Sequence, residues 1–83
     1  MIVVVKFQVR LNTAKETALF VNVCMHYDCD IDCKARDSNI VFDAKSIMGM
    51  VNLVGKDVDI SFNCDDQRVV KLFKDEIQLW IKE

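Results

Sequence analysis

The side chains able to do chemistry in this 83-residue chain are four cysteines, one histidine, two hydroxyl residues at helix-start positions and a scatter of carboxylates. Cys29 and Cys33 bracket the alternating stretch Cys29-Asp30-Ile31-Asp32-Cys33, which reads as a strand with both sulfurs on one face. Four residues along a strand is about 13 Å, too far for a bridge or a shared metal. Cys24 falls on an apolar helical face and Cys64 in a turn. No Cys-x-x-Cys pair occurs and the single histidine is His26. The thiols therefore read as reduced, small hydrophobic residues, with no metal and no cofactor expected.

Thr13-Ala14-Lys15-Glu16 has the form of a capping box, in which the Thr13 hydroxyl accepts from the Glu16 amide and the Glu16 carboxylate reaches back. Ser46 stands at the start of a second helical pattern and reads as its N-cap. Asp30 and Asp32, like Asp57 and Asp59, recur with period two, which spreads them along a solvated sheet face rather than gathering them around an ion. No nucleophile stands beside a base in this pattern. The chain reads as a binding protein that acts through its surface on other proteins, not as an enzyme.

These residues must be positioned by short alternating and helical segments. Ile2 to Leu11 is rich in β-branched residues, with Lys6, Gln8 and Arg10 facing one way and Phe7, Val9 and Leu11 the other, the signature of a half-buried strand. A helix capped by Thr13 runs to about His26, with Ala18, Leu19, Val21 and Met25 among its inward positions. Asp28 to Ala35 is a second strand, Arg36-Asp37-Ser38-Asn39 a turn, and Ile40 to Phe42 a short third strand. Lys45 to Val54 has helical spacing in Ile47, Met50, Val51 and Val54, with Met50 and Val51 read as core, and is ended by Gly55. Asp57 to Phe62 alternates again, with Val58, Ile60 and Phe62 inward. Asp65 or Asp66 caps a last helix with an apolar stripe of Val69, Val70, Phe73, Ile77, Trp80 and Ile81. The order is β-α-β-β-α-β-α, an α+β domain with helices over one sheet face and the charged strand positions on the other.

Composition excludes several classes of function. The formal charge of −2 leaves no basic stripe for nucleic acid. The apolar run Ile2 to Val5 is broken by Lys6, far short of the roughly 20 residues of a membrane span, and it lacks the basic flank and cleavage site of a signal peptide. A cytoplasmic location is expected. With 52% apolar residues the chain is equipped for a conventional core.

The element order, with Ser46 opening the second helix, resembles the HPr family, the small phosphocarriers of the bacterial sugar phosphotransferase system. The resemblance covers essentially residues 1–83, as a single HPr-like domain. Its most specific part is Lys45-Ser46-Ile47-Met48-Gly49, which looks like the regulatory segment of HPr proteins from Gram-positive bacteria. Tyr27-Asp28-Cys29-Asp30-Ile31 looks like the family's approach to its second strand. The resemblance implies an open-faced β-sandwich with an antiparallel sheet of spatial order 1-4-2-3, three helices on one face, and Lys6 and Arg10 on the side of strand one that neighbours Asp57 and Asp59.

In that family a histidine at the start of the first helix accepts a phosphoryl group from enzyme I. Counting back without gaps from the helix, Thr13 falls on that histidine, Lys15 on the family's arginine and Glu16 on its proline. Counting forward from the first strand, the loop is about three residues short, so the histidine segment is alternatively deleted. The resemblance further implies a regulated serine at Ser46, phosphorylated by an HPr-type serine kinase. It also implies a partner-docking surface containing Lys15, Lys45, Ile47 and Met48, read by a transcriptional regulator or metabolic enzyme. The competing readings are a phosphocarrier with an unusual acceptor and a bare interaction module on the same scaffold.

Overall fold

The computed structural model describes residues 3–82, so the expectation for Ile2 lies outside them. Strand β1, Val3–Arg10, keeps the expected alternation, with Val9 buried between exposed Gln8 and Arg10. It pairs antiparallel with β4, Asp57–Cys64, and β4 pairs on its other side with β2, Asp30–Ala35. β3, Phe42–Asp43, pairs antiparallel with β2, which completes a four-stranded sheet of order β1-β4-β2-β3. With three helices this is the α+β open-faced sandwich, as expected.

Three strand assignments need correction, the first being β2, which begins at Asp30 and leaves Asp28 and Cys29 ahead of it. β4 continues beyond Phe62, so Cys64 is its buried last residue and not part of a turn. Pairing on both flanks supplies hydrogen bonds that carry the strand past the point where its turn-forming residues, Asn63 to Asp66, suggest an end. The third strand is only two residues long, and Ile40 and Val41 are exposed instead of paired.

Helix α1 spans Ala14–Cys24 and α3 spans Gln67–Ile77, capped by Thr13 and Asp66. Helix α2 is a single turn, Ile47–Met50, capped by Ser46 and followed by a 3-10 turn at Val51–Leu53. A longer helix was expected there, with Val51 inward. The tightened turn leaves Val51 exposed and buries Leu53 in its place. On α1 the inward face is Thr17, Phe20, Val21 and Cys24, while Ala18, Leu19 and Met25 are exposed. The segment is apolar nearly all round, so its periodicity does not fix the face. Thr17 turns inward because its hydroxyl is satisfied locally, donating to the Thr13 carbonyl at 3.0 Å. Ile81 lies beyond the last helix, where a 3-10 turn at Gln78–Trp80 gives way to extended chain, and it bridges to Val9 at the outer edge of β1.

The core centres on Phe73. Its ring stacks on Phe62 at 4.3 Å and meets Tyr27, Phe7 and Phe20 edge-on at 5.3, 5.8 and 6.5 Å. Tyr27 is buried, and burial together with the hydrogen bond it donates to Glu76 raises its phenol pKa. The sheet's other face carries the charges. Arg10 reaches Asp57 at 3.4 Å, as expected for that strand pair, but Lys6 stands opposite Ser61. Asp59 turns to the β2 side, 3.8 Å from Lys34 and 3.7 Å from Arg36. Lys82 bonds Asp57 at 2.8 Å, and this hydrogen bond is the main reason the Asp57 carboxyl lies below its ordinary pKa.

Gly55 ties the loop before β4 to the loop after β1, its amide donating to the Leu11 carbonyl at 2.7 Å from a backbone with φ of +78°. A Cβ there meets nothing within 4 Å. Gly55→Ala should therefore suffer only the left-handed backbone penalty, about 1 kcal/mol, seen as a fall of about 4–8 °C in thermal midpoint. Gly55→Asn should fall less; an unchanged midpoint for alanine would refute the assignment.

Candidate protein-docking and phosphorylation site

Two helix starts hold the site residues expected from sequence. At α1, Thr13 is extended and exposed, and its hydroxyl accepts from the Glu16 amide at 3.1 Å. The Glu16 carboxylate accepts from the Asn12 amide at 3.0 Å and from the Thr13 hydroxyl at 3.3 Å. The capping box is thus formed, closed one residue further back than Thr13's own amide. Its effect is to occupy this helix start with a carboxylate and to engage the Asn12 amide that an incoming anion would seek. Lys15 is exposed on the first turn. His26 lies past the far end of α1, about 20 Å along the axis from Thr13.

At α2, Ser46 is exposed and its hydroxyl accepts from the Gly49 amide at 3.5 Å, a long cap contact. Its own amide donates to the Asp43 carbonyl at 2.9 Å, and the Asp43 carboxylate accepts from the Lys45 amide, also at 2.9 Å. These bonds fix the chain as it leaves β3 and leave the Ser46 side chain at the surface. Met48 is 82% exposed and Ile47 42%, so two apolar side chains on the serine's turn stand in water, followed by Val51 at 48%. Lys45 is half-buried and turns its charge toward Cys24 and Cys29, lowering the pKa of both thiols against the larger effect of burial.

The structure brings Ser46, Ile47 and Met48 onto one exposed turn, and it places Thr13 and Lys15 together on another. Val51, which opens the following 3-10 turn and which sequence reasoning assigned to the core, is exposed as well. Gly49 lacks a Cβ, which lets the Phe42 ring approach to 3.0 Å of the Cβ position and seats α2 closely on β3, a contact no spacing announces. A helix seated that closely buries Met50 and Leu53 and turns Val51 out. A four-residue helix has little macrodipole, so the attraction of α2 for an anion would come from its first amides, which have no intrahelical partner.

No protein-family model matches the sequence, and no curated protein matches it. Among solved structures the chain is similar to HPr-C-His from Thermoanaerobacter tengcongensis. That match has 25% identity over 93% of this chain and 89% of that one, with a TM-score of 0.61. It is also similar to the phosphocarrier protein HPr from Bacillus anthracis strain Ames. Here the identity is 28% over 87% and 92% of the two chains, with a TM-score of 0.62. The class defined by sheet order, helix placement and these neighbours is the HPr-like fold. Both neighbours carry the HPr name, and the second is named a phosphocarrier protein.

Proposed function

We propose that this chain is a cytoplasmic, HPr-like regulatory module that binds other proteins and is controlled through Ser46, and that it carries no phosphoryl group on histidine. The observation that carries the reading is the exposed Ser46 turn with Ile47 and Met48 on it, on an HPr-like fold. The start of α1 supports the second half. The sole histidine is His26, and the position nearest a phosphoacceptor holds Thr13 in a closed capping box with Glu16. A phosphohistidine is a phosphoramidate that hands its phosphoryl group on; a phosphothreonine is a stable ester and a dead end. The Glu16 charge further opposes an incoming phosphoryl group.

In this reading the partners are an HPr-type serine kinase and a transcriptional regulator or metabolic enzyme that contacts Lys15, Lys45, Ile47 and Met48. Intact mass separates the alternatives. Incubation with ATP and an HPr-type serine kinase should add one phosphate, whereas phosphoenolpyruvate and enzyme I should add none. Thr13→His should not restore full transfer, because Lys15 lacks the planar fork with which arginine grips phosphate oxygens. Phosphate from enzyme I on the wild-type chain would overturn the reading in favour of a phosphocarrier with an unusual acceptor. Phosphate from neither would leave a bare interaction module.

A further inference from the structure

The pairing of β2 with β4 sets Asp30 opposite Asn63 and Ile31 opposite Phe62. The next residues outward are Cys29, a bend just ahead of β2, and Cys64, the last residue of β4. Both line one shallow surface depression with Asp28, Asp30, Asn63 and Asp65. The ladder that ends beside them at Asp30 and Asn63 holds opposed Cα atoms about 4.5–5.5 Å apart, within the roughly 4.4–6.8 Å that a disulfide spans. Burial first and the neighbouring Cys64 thiol second push the Cys29 pKa up to about 12. Among the described residues no three His, Cys, Asp or Glu side chains are arranged to hold a metal ion. Two facing thiols without a third ligand suit oxidation.

We propose that Cys29 and Cys64 are a reversible cross-strand dithiol, a modification site that low-molecular-weight disulfides such as oxidised glutathione convert to an intramolecular disulfide. Cys29 is half-buried and Cys64 is 5% exposed, so Cys29 is the attacking thiol. It releases its proton to solvent, and the thiolate attacks one sulfur of the small disulfide. That S–S bond breaks, and one thiolate departs and is protonated. Cys64, which in the reduced protein donates to the Asp66 carbonyl at 3.8 Å, then loses its proton and attacks the Cys29 sulfur, expelling the second small thiol. The protein loses two electrons and two protons, and the small disulfide gains both.

The groups facing Cys29 are Cys64 and Asp65 at the end of β4, Asp28 and Asp30 on its own segment, and Lys45 ahead of α2. Apart from Lys45 they are acidic or themselves thiols, so Cys29 holds its proton and the exchange is slow at neutral pH. The closed bond would clamp the start of β2 to the end of β4, beside the Asp66 cap of α3. Cys24 and Cys33 are the built-in comparison. Both are sealed in the core at 0% and 1% exposure, and burial raises both pKa values. This inference is independent of the role given to Ser46.

The test is incubation of the full chain with oxidised glutathione, alkylation of the remaining thiols under denaturing conditions, and peptide mapping. The expected product has lost two hydrogens, carries a Cys29–Cys64 link and retains two alkylatable thiols, Cys24 and Cys33. The initial rate should rise about tenfold per pH unit between pH 7 and 9, as the thiolate fraction of Cys29 does. Cys64→Ser should trap glutathione on Cys29, and Cys29→Ser should form no intramolecular link. A wild-type chain that keeps four free thiols, holds glutathione on Cys29 while Cys64 stays reduced, or links Cys24 to Cys33 overturns the proposal. The wild-type map decides this whether or not the variants fold.

Discussion

Phe73→Ala should lower stability by about 3–5 kcal/mol and leave the chain largely unfolded near body temperature. The ring is fully buried and packs against four other aromatic rings, stacking face to face on Phe62. Deleting it removes the transfer free energy of a benzyl group and opens a cavity that stiff aromatic neighbours cannot collapse to fill. At roughly 0.05–0.15 kcal/mol per residue a chain this small sits toward the low end of the usual range of about 5–15 kcal/mol, so a large share of the margin disappears. Urea unfolding followed by far-UV circular dichroism measures it. Leu72→Ala, one residue away and 55% exposed, should change stability by less than about 1 kcal/mol. Comparable losses from the two variants would contradict the central placement of Phe73.

Ser46→Ala separates structure from regulation. The Ser46 cap contact is long, at 3.5 Å, so its loss should sit at the low end of measured cap effects, about 0.5 kcal/mol. Labelling by an HPr-type serine kinase should fall to background, and phosphate-dependent binding of a partner should disappear with it. Phosphorylation of the wild-type chain adds about −1.5 to −2 charge at the exposed turn, and its thermal midpoint should move little. Ser46→Asp, with one charge and two oxygens, should reproduce partner binding poorly. Continued labelling of Ser46→Ala at wild-type level would place the modification elsewhere and remove the basis of the proposed control.

The helix caps at Thr13, Ser46 and Asp66 were legible because a short oxygen-bearing side chain ahead of an apolar repeat has few other uses. The alternation of β1, β2 and β4 was legible because period two admits one buried face per strand. The inward face of α1 was not, since Ala18, Leu19, Val21 and Met25 compete with Phe20 and Cys24 on a segment apolar nearly all round. A buried threonine bonded to its own helix is invisible to a hydrophobic pattern. The length of α2 was overestimated because Val51 and Val54 continue its spacing, while the close seating of Gly49 on Phe42 is a tertiary fact. The nearness of Cys29 and Cys64 in one surface depression is not legible either, because spacing along one strand says nothing of a neighbour across the sheet. Ending β4 at Phe62 hid the second thiol.

The pairing of β1 with β4 also sets an order of events during synthesis. Arg10 and Asp57, which meet across that pair, are 47 residues apart in the chain. β1 leaves the ribosome first, yet the central strand it needs is made only after both earlier helices and the β2–β3 pair. At about 5–20 residues per second, the nascent β1 spends several seconds with its apolar side uncovered. α1 can form in microseconds during that wait, but it has no sheet to dock on until β4 arrives. The sheet then closes late and nearly all at once, with long-range contacts setting the rate. Slowing translation between Gly55 and Cys64 should therefore lengthen the exposure of β1 and raise aggregation.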